Sequence, residues 1–181
     1  MPVPSPEGLS QPATSHSARP DSRNQAYADV RQRIDALLEG EDDWVAAMAT
    51  VSCELHHAFS HYHWTGFYRV TAPRLLVVGP YQGGHGCLRI SFGKGVCGAA
   101  AESRQTQLVA DVHAFPGHIA CSSSTISEIV VPVLDNTGVV LAVLDVDSDH
   151  PDAFTAVDQA HLEDLCKMLG DRFGPDRTEG P

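Results

Sequence analysis

Positive charge is scarce in this chain of 181 residues: 12 Lys and Arg stand against 23 Asp and Glu, a formal net charge of −11. Proteins that grip nucleic acid neutralise its phosphates with Lys and Arg, so that class of partner is excluded. No basic run marks an anionic membrane surface either. Long apolar runs are also missing. The longest, Ile129 to Leu134 and Val139 to Val146, are strand-sized, well short of the about 18–20 residues of a membrane span. Met1-Pro-Val-Pro-Ser-Pro6 has neither the basic start nor the apolar centre of a signal peptide, which predicts a cytoplasmic protein. Paired cysteines are lacking as well. Cys53, Cys87, Cys97, Cys121 and Cys166 are odd in number, and none stands in a C-x2-C pair. Stable disulfides are rare in a reducing compartment, and zinc sites show tight ligand pairs. Neither a disulfide scaffold nor a metal site is expected, and no cofactor is implied.

With 43% hydrophobic residues the chain can bury one core, and its length fits one domain. Residues 1–23 are rich in Pro, Ser, Gly and Gln and predict a disordered tail; the stretch from Gly174 to Pro181 predicts another. Between them, residues 24–173 form the expected domain. Tyr27, Val30, Ile34, Leu37 and Leu38 follow helical spacing up to Gly40. Trp44, Met48, Val51, Leu55 and Phe59 repeat it, with Asp42 or Asp43 as the cap. The period then changes to strands: Trp64 to Thr71, Arg74 to Tyr81 across a turn at Ala72-Pro73, and Cys87 to Ser91. Val96 to Ser103 reads as a short helix and Gln107 to Ala110 as a brief strand. Glu128 to Leu134 and Val139 to Asp147 make a hairpin over Asp135-Asn-Thr-Gly138. Thr155, with Asp158 three residues on, opens a last helix whose buried stripe is Leu162, Leu165, Met168 and Leu169. Hairpin joins predict an α+β fold: a central antiparallel sheet with the N- and C-terminal helices packed on one face.

One connection is too long to be a plain turn. Asp111 to Glu128 carries Pro116 and Gly117, His113 and His118, Cys121 and a run of hydroxyls. A structureless link of this length inside a domain marks a functional loop or disorder. The apolar anchors Phe115, Ile119 and Ile126 favour an ordered loop holding Cys121 at a site. Cys166 and Cys53 read as packing, since free cysteines are among the most buried residues. The central three differ. Cys87 follows Gly83-Gly-His-Gly86, Cys97 lies between Gly95 and Gly98, and Cys121 precedes three serines. Such surroundings leave a sulfur approachable and favour its thiolate, the form that acts as a nucleophile. His118 near Cys121 would also suit acyl transfer, but no oxyanion-hole pattern accompanies the pair. Asp145 and Asp147 share one strand face by alternation, and Glu128 opens the neighbouring strand. The three acids are either a solvated strand end or a site for an ammonium group.

Taken in order, Trp64-Thr-Gly-Phe-Tyr68, Gly79-Pro-Tyr-Gln-Gly83, Cys87-Leu-Arg-Ile90, Gly93-Lys-Gly-Val-Cys-Gly98, Asp111-Val-His113, Gly117-His-Ile-Ala-Cys121, Ser127-Glu-Ile-Val-Val-Pro132 and Val143-Leu-Asp-Val-Asp-Ser148 resemble the free methionine-(R)-sulfoxide reductases. These are small GAF-domain enzymes, and the likeness runs from about residue 25 to residue 170. It implies a GAF-like sheet with an active-site loop on the face opposite the terminal helices, and a tendency to form homodimers. It also implies reduction of free L-methionine (R)-S-oxide, coupled to oxidation of thioredoxin through a cysteine sulfenic acid and an intramolecular disulfide. On this likeness Cys121 is the nucleophile, Cys87 the resolving cysteine, and Cys97 a second resolver or relay. Glu128, Asp145 and Asp147 bind the substrate and polarise its sulfoxide, and Trp64 packs on its methyl. The substrate carboxylate would then need backbone N–H donors, expected from the serine-rich loop after Cys121. The resemblance departs at Ser122 to Ser127, where the family carries an acidic residue directly after the cysteine. The alternative is a non-catalytic GAF module that binds a small ligand and senses redox state.

Overall fold

A computed structural model describes residues 20–119 and 122–174. Four helices and six strands follow one another as α1 (Pro20–Leu37), α2 (Trp44–Ala58), β1 (Trp64–Ala72), β2 (Leu75–Gln82), β3 (Arg89–Ser91), α3 (Gly95–Ser103), β4 (Gln107–Val109), β5 (Ser127–Leu134), β6 (Val140–Ser148) and α4 (Ala156–Phe173). The strands form one antiparallel sheet in the order β3-β2-β1-β6-β5-β4. The expected α+β architecture is the observed one.

Local chemistry sets the ends of these elements. Asp43 caps α2, its carboxylate accepting from the Ala46 N–H at 2.8 Å. Thr155 and Asp158 form a reciprocal capping box on α4, satisfying two N–H groups that a helix start otherwise leaves bare. Asp135 Oδ1 accepts from the N–H groups of Thr137 and Val139, and Gly138 takes φ +80°, which closes the β5–β6 turn.

Alternation along the strands divides the core in two. Phe67, Ile129, Val131, Val133, Ala142, Leu144 and Val146 face α1, α2 and α4 and bury with them. Trp64, Tyr68, Leu76, Val130 and Val143 face the other way, where Val96, Cys97, Ala100 and Ala101 of α3 cover them. The terminal helices thus share one face as expected, and α3 takes the opposite one. Asp158 is sealed within the first face. It accepts from Arg23 at 2.5 Å and from the Tyr27 hydroxyl at 2.8 Å, tying α1 to the start of α4.

Four sequence expectations need correction. The first helix begins at Pro20, inside the stretch assigned to the tail; proline suits a first helical position, where its missing N–H costs nothing. Leu37 is 57% exposed rather than buried. The helix ends there, and Leu38, its N–H bonded to Ile34 O, turns inward instead. Ile119 is 40% exposed and lies over Gly95 rather than in the core. Cys53 is half-exposed, with its Sγ 3.7 Å from His57 Nδ1, so the packing role holds only for Cys166. The expected tails at 1–19 and 175–181 lie outside the described residues.

Candidate active site

The middle strands bring the acids together. β6 lies between β1 and β5, and its Asp147 pairs with Trp64 on one side and Glu128 on the other. Two residues along, Asp145 pairs with Gly66 and Val130. All six positions project on the α3 side of the sheet, so three carboxyls converge beneath one short helix. Glu128 and Asp145 are buried and Asp147 is half-buried. The solvated strand end is thereby ruled out.

Cys97, in the first turn of α3, completes the group: its Sγ lies 3.9 Å from Glu128 Oε1. Cys97 is buried and free, not approachable as its flanking glycines suggested. Those glycines serve packing. A Cβ at Gly98 would overlap Ser91 O, and Gly95 takes φ +59°. Side-chain-free positions let α3 sit directly on the sheet edge.

Burial governs the electrostatics. Desolvation lifts the Glu128 carboxyl well above its usual range, and the charges of Asp145 and Asp147 add to it. Asp147 is lifted in the same way, by burial first and Asp145 next. Asp145 is pushed up to about 6 by burial, with hydrogen bonds from Cys97 and Glu128 opposing the rise. Its Oδ1 is buried with no hydrogen-bond partner. Burial and the neighbouring carboxylates also push the Cys97 thiol up, which keeps its proton on sulfur. All three carboxyls therefore hold their protons to higher pH than free ones do.

These groups line a small, partly open cavity at the start of α3. It is lined by Cys97, Glu128, Asp145, Asp147 and buried Thr125, with Lys94, His118, Ile119 and Ser122 more exposed around them. Lys94 is the N-cap residue of α3 and makes no side-chain hydrogen bond to the first turn, and Gly95, Val96 and Cys97 line the cavity. Lys94 and Thr125 escaped the sequence reading, and His118 was weighed only for acyl transfer. The one signal available was the glycine-flanked start of α3, which marks a close backbone approach. The Cys97 sulfur and one oxygen each of Glu128 and Asp145 lie within 4.8 Å of one another, a set able to hold a metal ion.

The other expected residues stand around this cavity rather than on its wall. Trp64 is stacked between Tyr68 and Tyr81, at centroid distances of 5.7 and 5.3 Å. Its Nε1 donates to Gly84 O at 3.1 Å, fixing the glycine loop that leads to Cys87. Cys87 is half-buried and disulfide-bonded. The loop after β4 is organised by a short 3-10 turn, Val112–Ala114, whose cap Asp111 accepts from the His113 N–H. Val112 N–H bonds Ile126 O, and Ile126 N–H bonds Ser148 O. Cys121 lies outside the described residues.

Comparison with known proteins gives this geometry a family. Residues 40–171 match the GAF domain model. The chain is 43% identical over 148 residues to GAF domain-containing protein A of Dictyostelium discoideum, covering 82% of this chain and 92% of that one. It is 41% identical over 141 residues to the free methionine-R-sulfoxide reductase of Saccharomyces cerevisiae, covering 75% and 78%. Its fold is similar to the X-ray structure of the free methionine-R-sulfoxide reductase of Neisseria meningitidis in complex with its substrate, with TM-score 0.80 at 40% identity over 92% of this chain and 95% of that one. With curated relatives this similar over most of their length, the chain belongs to the free methionine-(R)-sulfoxide reductase family of GAF-domain proteins.

Proposed function

We propose that this protein reduces free L-methionine (R)-S-oxide to L-methionine, with Cys121 as nucleophile and thioredoxin as the final reductant. The observation that carries the reading is the row of three acids, two of them buried, lining one cavity with Cys97. A sulfoxide sulfur becomes electrophilic when its oxygen receives a proton or a strong hydrogen bond, and Glu128 is the carboxyl best placed to keep one. Asp145, whose Oδ1 is unpaired, and Asp147 meet the substrate ammonium. The carboxylate meets the uncapped first turn of α3 with Lys94 above it. This assignment replaces the serine-rich loop as the source of N–H donors. The indole of Trp64, held by its two tyrosines, is the ring assigned to the methyl group.

In the first step the Cys121 sulfur attacks the sulfoxide sulfur. The S–O bond breaks as the oxygen passes to cysteine, giving methionine and a cysteine sulfenic acid. Cys87 then attacks that sulfenic sulfur, water leaves, and a disulfide forms. The free state of Cys53, Cys97 and Cys166 beside a disulfide-bonded Cys87 supports Cys87 as the resolving thiol. A thioredoxin dithiol reduces the disulfide by exchange and becomes oxidised itself. Cys97, buried and protonated, acts as a hydrogen-bond donor to the acids or as a relay in a later exchange. A reducing cytoplasm suits this cycle. Among the described residues no helix is long and apolar enough to cross a membrane.

Thioredoxin-coupled NADPH oxidation with free (R)- and (S)-sulfoxides tests the proposal. Turnover of the (R) isomer alone is expected. No turnover, or equal turnover of both isomers, would favour a ligand-binding, redox-sensing GAF module instead.

A further inference from the structure

We propose that Cys97, Glu128 and Asp145 form a binding site for one zinc-class divalent cation, Zn2+ or Cd2+, in the reduced protein. The three donors come from three elements, α3, β5 and β6. Sequence spacing, which looks for paired ligands on one knuckle, could not reveal them. Their ligand atoms already lie within 4.8 Å of one another. A tetrahedral zinc with one sulfur at about 2.3 Å and oxygens at about 2.1 Å holds its donors about 3.5 Å apart, so small side-chain rotations complete the set. Cys97 Sγ and Glu128 Oε1 stand at 3.9 Å.

Two observations separate this group from a mere cluster of acids. One donor is a thiol, and thiolate selects soft or borderline ions over Mg2+ and Ca2+. Another, Asp145, is 4% exposed, and beside its contacts to Cys97 and Glu128 its Oδ1 has no hydrogen-bond partner, an unsatisfied buried acceptor that costs free energy. The cavity mouth beside Lys94 and His118 supplies the entry path. Three protein ligands leave a fourth position open for water, the arrangement of an accessible rather than a sealed zinc site. Binding exchanges protons for the ion: the Cys97 thiol proton, and any held by the two carboxyls, pass to solvent. The ion takes the place of a substrate ammonium, so zinc and a free amino acid exclude each other.

The site does not depend on the reductase reading, and its test reads the ion rather than turnover. The fully reduced full-length chain is titrated with Cd2+ under anaerobic conditions, following the ultraviolet thiolate-to-cadmium charge-transfer band. The expected result is a band saturating at one ion per chain, erased by Zn2+ and untouched by Mg2+. It should vanish in Cys97→Ser and persist in Cys87→Ser and Cys121→Ser. Asp145→Asn and Glu128→Gln, which keep the sulfur, should each weaken binding by about tenfold or more; they decide the matter if Cys97→Ser does not fold. A missing band, a band that survives Cys97→Ser, a band that depends on Cys87 or Cys121, or unchanged affinity in both acid variants would overturn the proposal.

Discussion

Glu128 is a carboxyl for which ionisation is expensive, since burial and two neighbouring acids all oppose its negative charge. A carboxyl that holds its proton to higher pH than a free one can donate it to a sulfoxide oxygen. Glu128→Gln removes that proton and should slow methionine release in a single turnover by about 10²–10⁴-fold. The sign of the pH effect follows from the raised pKa: the first turnover should fall as pH rises through it, and the Gln variant should lose that limb. Rapid-quench measurement of released methionine across pH checks both. The thiols divide differently. Cys121→Ser should abolish the first turnover, whereas Cys87→Ser should complete it and then stop for want of a disulfide; a Cys87→Ser enzyme unable to release any methionine would reverse the assignment. The acids were legible beforehand because period-two alternation puts Asp145 and Asp147 on one face. Cys97 was misjudged because a glycine that admits a helix and a glycine that exposes a sulfur look alike in sequence. Lys94 and His118 line one cavity from two separate segments of the chain, a juxtaposition that no local period records.

Among the elements, β1 does the most to shape the site. Its inward rings stack in the order Tyr68, Trp64, Tyr81, with the last contributed by β2. Gly66 lies among them without a side chain. A Cβ there would overlap Tyr81 Cβ and stand 2.7 Å from Trp64 Cη2, so even one methyl must move a ring. Gly66→Ala should therefore lower stability by about 1–3 kcal/mol, the usual cost of overpacking, and raise KM for the sulfoxide through the displaced indole. Urea unfolding and steady-state kinetics on the same variant read the two effects; an unchanged KM would detach Trp64 from substrate binding. Most elements were readable from sequence because each has an unambiguous period and a chemical stop, as with Asp43, Thr155 and the Asp135 turn. The start of α1 was not. Its first turn is polar and tail-like in composition, and a distant contact, Arg23 to Asp158, holds it in place.

At the scale of the whole molecule the two faces of the sheet serve opposite ends. One face is almost wholly apolar under three helices and supplies the stability; the other gives up part of its core to buried carboxyls, the usual exchange of stability for function. Asp145 makes that exchange measurable. Its usual pKa of 3.8 rises to about 6 on folding. Below pH 4 both folded and unfolded chains hold the proton, and burial of this group carries no ionic cost. Between pH 4 and about 6 the unfolded chain releases the proton first, so stability falls; above that range both forms are ionised and the full deficit remains. Two pKa steps correspond to about 3 kcal/mol, an upper limit, since an asparagine also needs partners in a buried site. Asp145→Asn should therefore stabilise the protein by about 1–3 kcal/mol at pH 7 and by nothing at pH 4, while losing affinity for the substrate ammonium. Chemical denaturation of both proteins at the two pH values is the measurement. A variant equally stable or weaker than wild type at pH 7 would mean that Asp145 is held ionised by compensating contacts, and that the acid row is a structural network rather than a strained one waiting for its ligand.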